Sequence, residues 1–213
     1  VNAGQSPLEW AAGERARARR GARRRVLAWL GLNKEARRAD ALTARTQVGA
    51  EGERRTAALL KGLPAGWTVL HGQKLPGRRH DLDHVLGSPC GTAVVVLDSK
   101  RWNASASWPT RLQGGRVYCG GEDRHGQIEA VAGYAARLQE VLGMPGVTVW
   151  PLLVVHGSRI EGGRLEARAL RWPGVVHVLG PEWLVPTLAA APRRGDPVRA
   201  GVLVARLRQV LTD

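Results

Sequence analysis

Apolar positions change their spacing along the chain, and each change marks a predicted element. Thr92 to Lys100, TAVVVLDSK, is a run of β-branched and small apolar residues, which fits a strand buried on both faces better than a helix of that length. Asp81 to Gly87 reads as a strand before it, and the turn Ser88-Pro89-Cys90-Gly91 folds the two into a hairpin. Trp67 to Leu75 predicts a further strand, closed by the loop Pro76-Gly77-Arg78-Arg79. Upstream, a helix is expected from about Thr46 to Gly62, opened by Thr46 and stopped by Gly62 and Pro64. Downstream, Ile128, Val131, Ala135, Leu138 and Leu142 recur at helical spacing within Gly126 to Leu142, and Val147 to His156 reads as a buried strand. The order is α-β-β-β-α-β, an α/β domain with a mixed central sheet flanked by helices.

Weaker signals fill the rest. Gly114-Gly115 and Gly120-Gly121 flank Val117-Tyr118-Cys119 and predict a small hairpin between Asn103 and Arg124. Beyond residue 156 we expect a strand at Gly174 to Leu179, a helix opened by Pro181 and a last helix opened by Asp196-Pro197. Leu203, Leu207, Val210 and Leu211 give that last helix an apolar face, so this part completes or flanks the sheet. Residues 8 to 46 are rich in Ala, Arg and Leu with no proline, a helical composition, and residues 1–45 are expected to form a basic helical arm on a domain spanning 46–213.

Charge sharpens this picture. The net charge is +14 over 213 residues, and residues 1–47 hold 11 basic against 4 acidic residues, half of the excess. Such a balance favours a polyanionic partner, nucleic acid before an anionic membrane surface. Of the 32 basic residues only four are lysines, at 34, 61, 74 and 100, so a lysine at a chemically useful position carries weight. No run reaches the roughly 18 apolar residues of a membrane span, and membrane association is not expected. Cys90 and Cys119 are isolated, which supports neither a zinc ribbon nor a disulfide framework and fits a reduced cytoplasmic setting, nucleoid-associated if the partner is DNA. His80 and His84 have the spacing of a zinc pair but lack further ligands at useful distance. No GxSxG elbow is present, and the glycine pair 162–163 lacks the context of a nucleotide-binding loop.

The hairpin holds the densest chemistry. At period two, Asp98 and Lys100 share a face with Val94 and Val96, so an anion and a cation stand side by side at the end of a buried strand. Asp81 and Asp83 share a face with Val85, and the turn brings Asp83 near Asp98. Glu53 lies on the face of the first helix that carries Thr56, Ala57 and Leu60, where a carboxylate needs a cation, a hydrogen bond or a metal, or else pairs with Arg54 or Arg55.

The segments Gly49-Ala50-Glu51-Gly52-Glu53, Asp81-Leu82-Asp83-His84 and Asp98-Ser99-Lys100 followed by Trp102 resemble, in that order, the motifs of the PD-(D/E)xK restriction-endonuclease-like nucleases, and most closely the nuclease-related domain, NERD. The resemblance covers about residues 46 to 156. It implies a metal-dependent nuclease that hydrolyses DNA phosphodiester bonds, with Glu53, Asp83, Asp98 and Lys100 catalytic. Asp83, Asp98 and Glu53 would hold Mg2+, or Mn2+ in its place, with the Leu97 carbonyl a further ligand and Asp81 and Gln127 accessory. Arg19, Arg20, Arg23, Arg24 and Arg25 of the arm, with Arg78, Arg79 and Arg101, are the residues expected to meet DNA. Self-association, a non-catalytic DNA-binding or scaffold role, and attachment to a membrane surface through the arm are the alternatives.

Overall fold

The computed structural model describes residues 11–14, 16–17, 49–77, 81–105, 107–191 and 194–212. The expected arm lies almost wholly outside them, as do Arg19, Arg20, Arg23, Arg24, Arg25, Arg78, Arg79 and His80. Within them, helix α1 runs over 49–60 and is followed by β1 (Thr68–Lys74), β2 (Asp81–Gly87) and β3 (Ala93–Arg101). Three short strands come next, β4 (Thr110–Gln113), β5 (Arg116–Cys119) and β6 (Glu122–Asp123), then α2 (His125–Leu142) and β7 (Thr148–His156). The chain ends with β8 (Arg164–Ala169), β9 (Trp172–Leu179), α3 (Pro181–Ala190) and α4 (Pro197–Val210).

Six strands form one sheet in the order β1-β2-β3-β7-β9-β8. The first two pairings are antiparallel, β3-β7 and β7-β9 are parallel, and β8 returns antiparallel to β9. Strand β3 is the hinge of this mixed arrangement. Its residues Val94 to Leu97 are at most 5% exposed, because both faces are covered. Val94 and Val96 pack with Ile128, Val131, Ala135 and Leu138 of α2 and with Leu203 and Leu207 of α4. Val95 and Leu97 pack on the other face with Leu60 of α1 and Leu184 and Leu188 of α3. Burying such side chains contributes about 1.5–3 kcal/mol each, so the continuous apolar run fixes β3 at the centre of the fold.

The predicted core elements appear within a few residues of their expected bounds, and the stripe of α2 is fully buried. Two expectations need correction. The segment after β3 is a three-stranded sheet rather than a single hairpin, since Gly114, Gly115 and Gly120 all take positive φ and make two turns. Strand β8 was not predicted: Leu165, Ala167 and Ala169 alternate with Arg164, Glu166 and Arg168, and its small alanines give too weak an apolar signal at a sheet edge. Asp196 caps α4 by accepting a hydrogen bond from the Arg199 amide at 3.0 Å, as its Asp-Pro opening predicts. Among the described residues no helix is long and apolar enough to cross a membrane.

Candidate active site

The last ladder pair between β2 and β3 is His84 with Leu97. Asp83 and Asp98 are the next residues outward on each strand, so the register itself sets the two carboxylates beside one another. There the backbone ladder gives way to a side chain: the Ser99 amide donates to Asp83 Oδ2 at 2.6 Å. On β3, Lys100 Nζ lies 2.6 Å from Asp98 Oδ2 and 3.4 Å from the Ser99 carbonyl. The Asp98 side chain is 14% exposed and that of Lys100 35%, so the pair is rooted in the protein and opens outward.

Electrostatics tie four acids and the lysine into one cluster. Burial raises the Asp83 carboxyl well above its ordinary range; Asp98 and Glu53 add to this, while Lys100 and the Ser99 amide oppose it. Glu53 is also raised, by burial first, with Asp98 and Asp81 reinforcing and Lys100 opposing. Burial by itself would lower the Lys100 ammonium, but the Asp98 and Asp83 carboxylates outweigh it and hold it above an ordinary lysine. In the metal-free cluster Lys100 is thus held as a positive charge by its two acidic neighbours.

Arg54 and Arg55 pair with Glu51, at 3.3 and 2.7 Å, rather than with Glu53 as the competing reading of the sequence had it. Gln127 accepts a hydrogen bond from Trp102 Nε1 at 2.8 Å, so its shown role is to seat the buried indole that follows Lys100. Tyr134, on the same side of α2, is close enough to raise the Lys100 pKa slightly. Arg101 ends β3 exposed, and Arg124 stacks over Trp102 at 5.9 Å.

Sequence reasoning missed the polar groups beneath the cluster. His71 and His84 are opposed across β1 and β2, with their Nδ1 atoms 2.8 Å apart. That contact occupies His84 with another imidazole and gives no support to a zinc pair with His80. Thr56, Ser99 and His156 form a second buried group, in which Thr56 Oγ1 lies 2.9 Å from Ser99 Oγ and 2.8 Å from His156 Nε2. Period-two alternation does put Ser99, His84 and His156 on one face of the sheet, and a threonine on the apolar stripe of α1 was the visible clue.

The donor chemistry suits a hard divalent cation: crowded carboxylate oxygens whose pKa values are raised by burial and by one another. Among the described residues no three His, Cys, Asp or Glu side chains stand ready as a ligand group. Magnesium commonly takes one or two carboxylates and keeps its waters, and Asp83 and Asp98 are the two that the strand register sets side by side.

Comparisons with curated proteins and with solved structures return no match. The nuclease-related domain, NERD, matches residues 48–156, about half of the chain, and those bounds enclose α1, β1 to β7 and every acidic residue of the cluster. The chain belongs to the nuclease-related domain family.

Proposed function

We propose that the protein is a divalent-metal-dependent nuclease hydrolysing DNA phosphodiester bonds, in DNA processing or repair. The observation that carries this reading is the placement of Asp83, Asp98 and Lys100 where β2 and β3 run past their last ladder pair, with Glu53 raised by burial and then by Asp98 and Asp81. Asp83 and Asp98 would hold magnesium, or manganese, with Glu53 turning in as a third oxygen ligand or orienting a bound water. The bound ion would polarise the scissile phosphate and lower the pKa of a water. Lys100, kept protonated by Asp98, would stabilise the charge that develops on phosphate oxygens in an in-line displacement. Asp81 adds negative charge beside Glu53, and Gln127 with Trp102 steadies the chain just after Lys100.

The +14 net charge supports a polyanionic substrate. Arg101 stands exposed beside the cluster, and Arg111 lies 5.1 Å over the exposed ring of Trp108 on the segment that follows β3. The test is cleavage of single-stranded, duplex and branched DNA with and without magnesium, run beside Asp98→Asn. Magnesium-dependent cleavage by the wild type alone is the expected result. Tight binding with no cleavage in the presence of magnesium would replace this reading with a DNA-binding or scaffold module.

A further inference from the structure

Helix α1 meets the sheet through polar atoms where an apolar contact would have served. Thr56 is fully buried, Ser99 and His156 are each 4% exposed, and their neighbours Leu60, Leu97 and Val154 are apolar. An unpaired hydroxyl in such a place is costly, so the partners matter. Ser99 Oγ donates to Thr56 Oγ1 at 2.9 Å, and the same Thr56 oxygen lies 2.8 Å from His156 Nε2, within reach of its own hydroxyl proton. In a relay that runs from Ser99 through Thr56, His156 accepts at Nε2 and carries its proton on Nδ1. Gly52, one turn before Thr56, lies against the same imidazole: a Cβ there would meet His156 Cδ2 at 3.8 Å.

Each member also reaches the carboxylate cluster or the strand that bears it. Ser99 bonds Thr56 through its hydroxyl and Asp83 through its amide. Thr56 follows Glu53 by three residues on one helix. The His156 carbonyl accepts from the Trp102 amide at 2.9 Å, just beyond Lys100. The three side chains come from α1, β3 and β7, so they join the helix that carries Glu53 to the two strands on which the site is built.

We propose that Thr56, Ser99 and His156 are positioning residues, whose buried relay sets the register of α1 against β3 and β7 and so places Glu53 and Asp83 in the cluster. This rests on the nuclease reading for its effect on rate, but not for its effect on geometry. A dispersive contact tolerates small slides, whereas a chain of hydrogen bonds is satisfied only within narrow distances and angles.

The test uses the full chain with Thr56→Val, which keeps the shape and removes the hydroxyl, and Thr56→Ser, which restores it. Exchange of the Ser99 amide, read by NMR, should quicken by about tenfold in Thr56→Val while amides at the centre of β7 keep their protection. Single-turnover cleavage should fall by a similar factor with DNA affinity unchanged, and Thr56→Ser should recover both. In the wild type, the 15N shifts of His156 should report a bare Nε2 and a protonated Nδ1. A protonated Nε2, or unchanged Ser99 exchange in Thr56→Val, would overturn the relay. Should Thr56→Val fail to fold, Ser99→Ala keeps the amide donor, removes the hydroxyl and is read the same way. A wild type that never cleaves would defeat the nuclease reading alone, because the exchange and 15N measurements still decide the relay.

Discussion

Lys100 and Asp98 stand two residues apart on one face of β3 with Nζ and Oδ2 at 2.6 Å, so the strand's own pleat builds the ion pair. A guanidinium cannot take this place without change. It is broad and planar, whereas the ammonium is compact and can meet a water and a phosphate oxygen together. Lys100→Arg is expected to keep DNA affinity and lose cleavage on the order of 10²-fold in single-turnover assays. Wild-type rates for this variant would remove the lysine from the chemistry.

Asp83 should oppose folding in the metal-free protein. Its folded pKa is raised above the ordinary 3.8, by burial first and then by Asp98. Between the two values the folded state keeps a proton that the unfolded chain has released, so stability falls as pH rises through that window and stays reduced above it. Asp83→Asn removes the charge and keeps an oxygen for the Ser99 amide. At neutral pH without metal it should stabilise by about 1 kcal/mol, or roughly 2–4 °C in melting temperature, while abolishing magnesium-dependent cleavage. A lower melting temperature would contradict the assigned strain.

The same reasoning makes magnesium affinity depend on pH. Ligation requires ionised carboxylates, so binding should release protons and tighten as pH rises through the raised titrations of Asp83 and Glu53. Calorimetry in buffers of different ionisation enthalpy measures the release. Equal heats across buffers would argue against Asp83 and Glu53 as the groups that ionise on binding.

The histidine pair acts in the opposite direction. Burial, with His71 alongside, lowers His84 from 6.5 to about 3, and His71 is lowered as well, by burial and Lys61. Below about 6.5 the unfolded chain takes up a proton that folded His84 refuses until about 3, so its contribution to stability is lost as pH falls through that interval. Urea midpoints should decline from pH 6.5 downward, and the His84 ring signals should not titrate above pH 4. Titration near 6.5 would show that the pair is open to water.

Gly91 has φ of +65°, and a Cβ there would lie 2.5 Å from the Arg199 carbonyl carbon and 2.6 Å from the Ala200 nitrogen. Both obstacles are backbone of α4 and cannot rotate aside. Gly91→Ala should therefore cost roughly 2–3 kcal/mol, combining left-handed backbone strain with displacement of the helix. Chemical denaturation checks this, and a change under 0.5 kcal/mol would mean that the hairpin turn does not rest on α4.

The centre of the fold was legible because β3 and α2 each speak with one period, and the hairpin's alternation paired Asp98 with Lys100 before any coordinates. Glu53 was legible as a misfit on an apolar stripe. The relay and the His71-His84 contact were not, because a hydrogen bond between α1 and β7 joins residues a hundred positions apart and depends on cross-layer geometry that local spacing does not encode. Strand β8 was hidden for another reason: two of its three inward residues are alanines, and its outward charged residues read as surface. Arg19 to Arg25, Arg78 and Arg79 fall outside the described residues, and their role belongs to the proposal for DNA.

The family match ends at His156, the last residue of β7, yet the sheet continues. Beyond that point β9 supplies the hydrogen bonds for the outer edge of β7, and Val176, Val178, Leu203 and Leu207 fill the same core that supports β3. A fragment cut at residue 156 would present a bare, apolar strand edge able to recruit a second copy of itself. The residues after 156 thus serve as the cover of an edge that the matched half of the chain would leave open to templating.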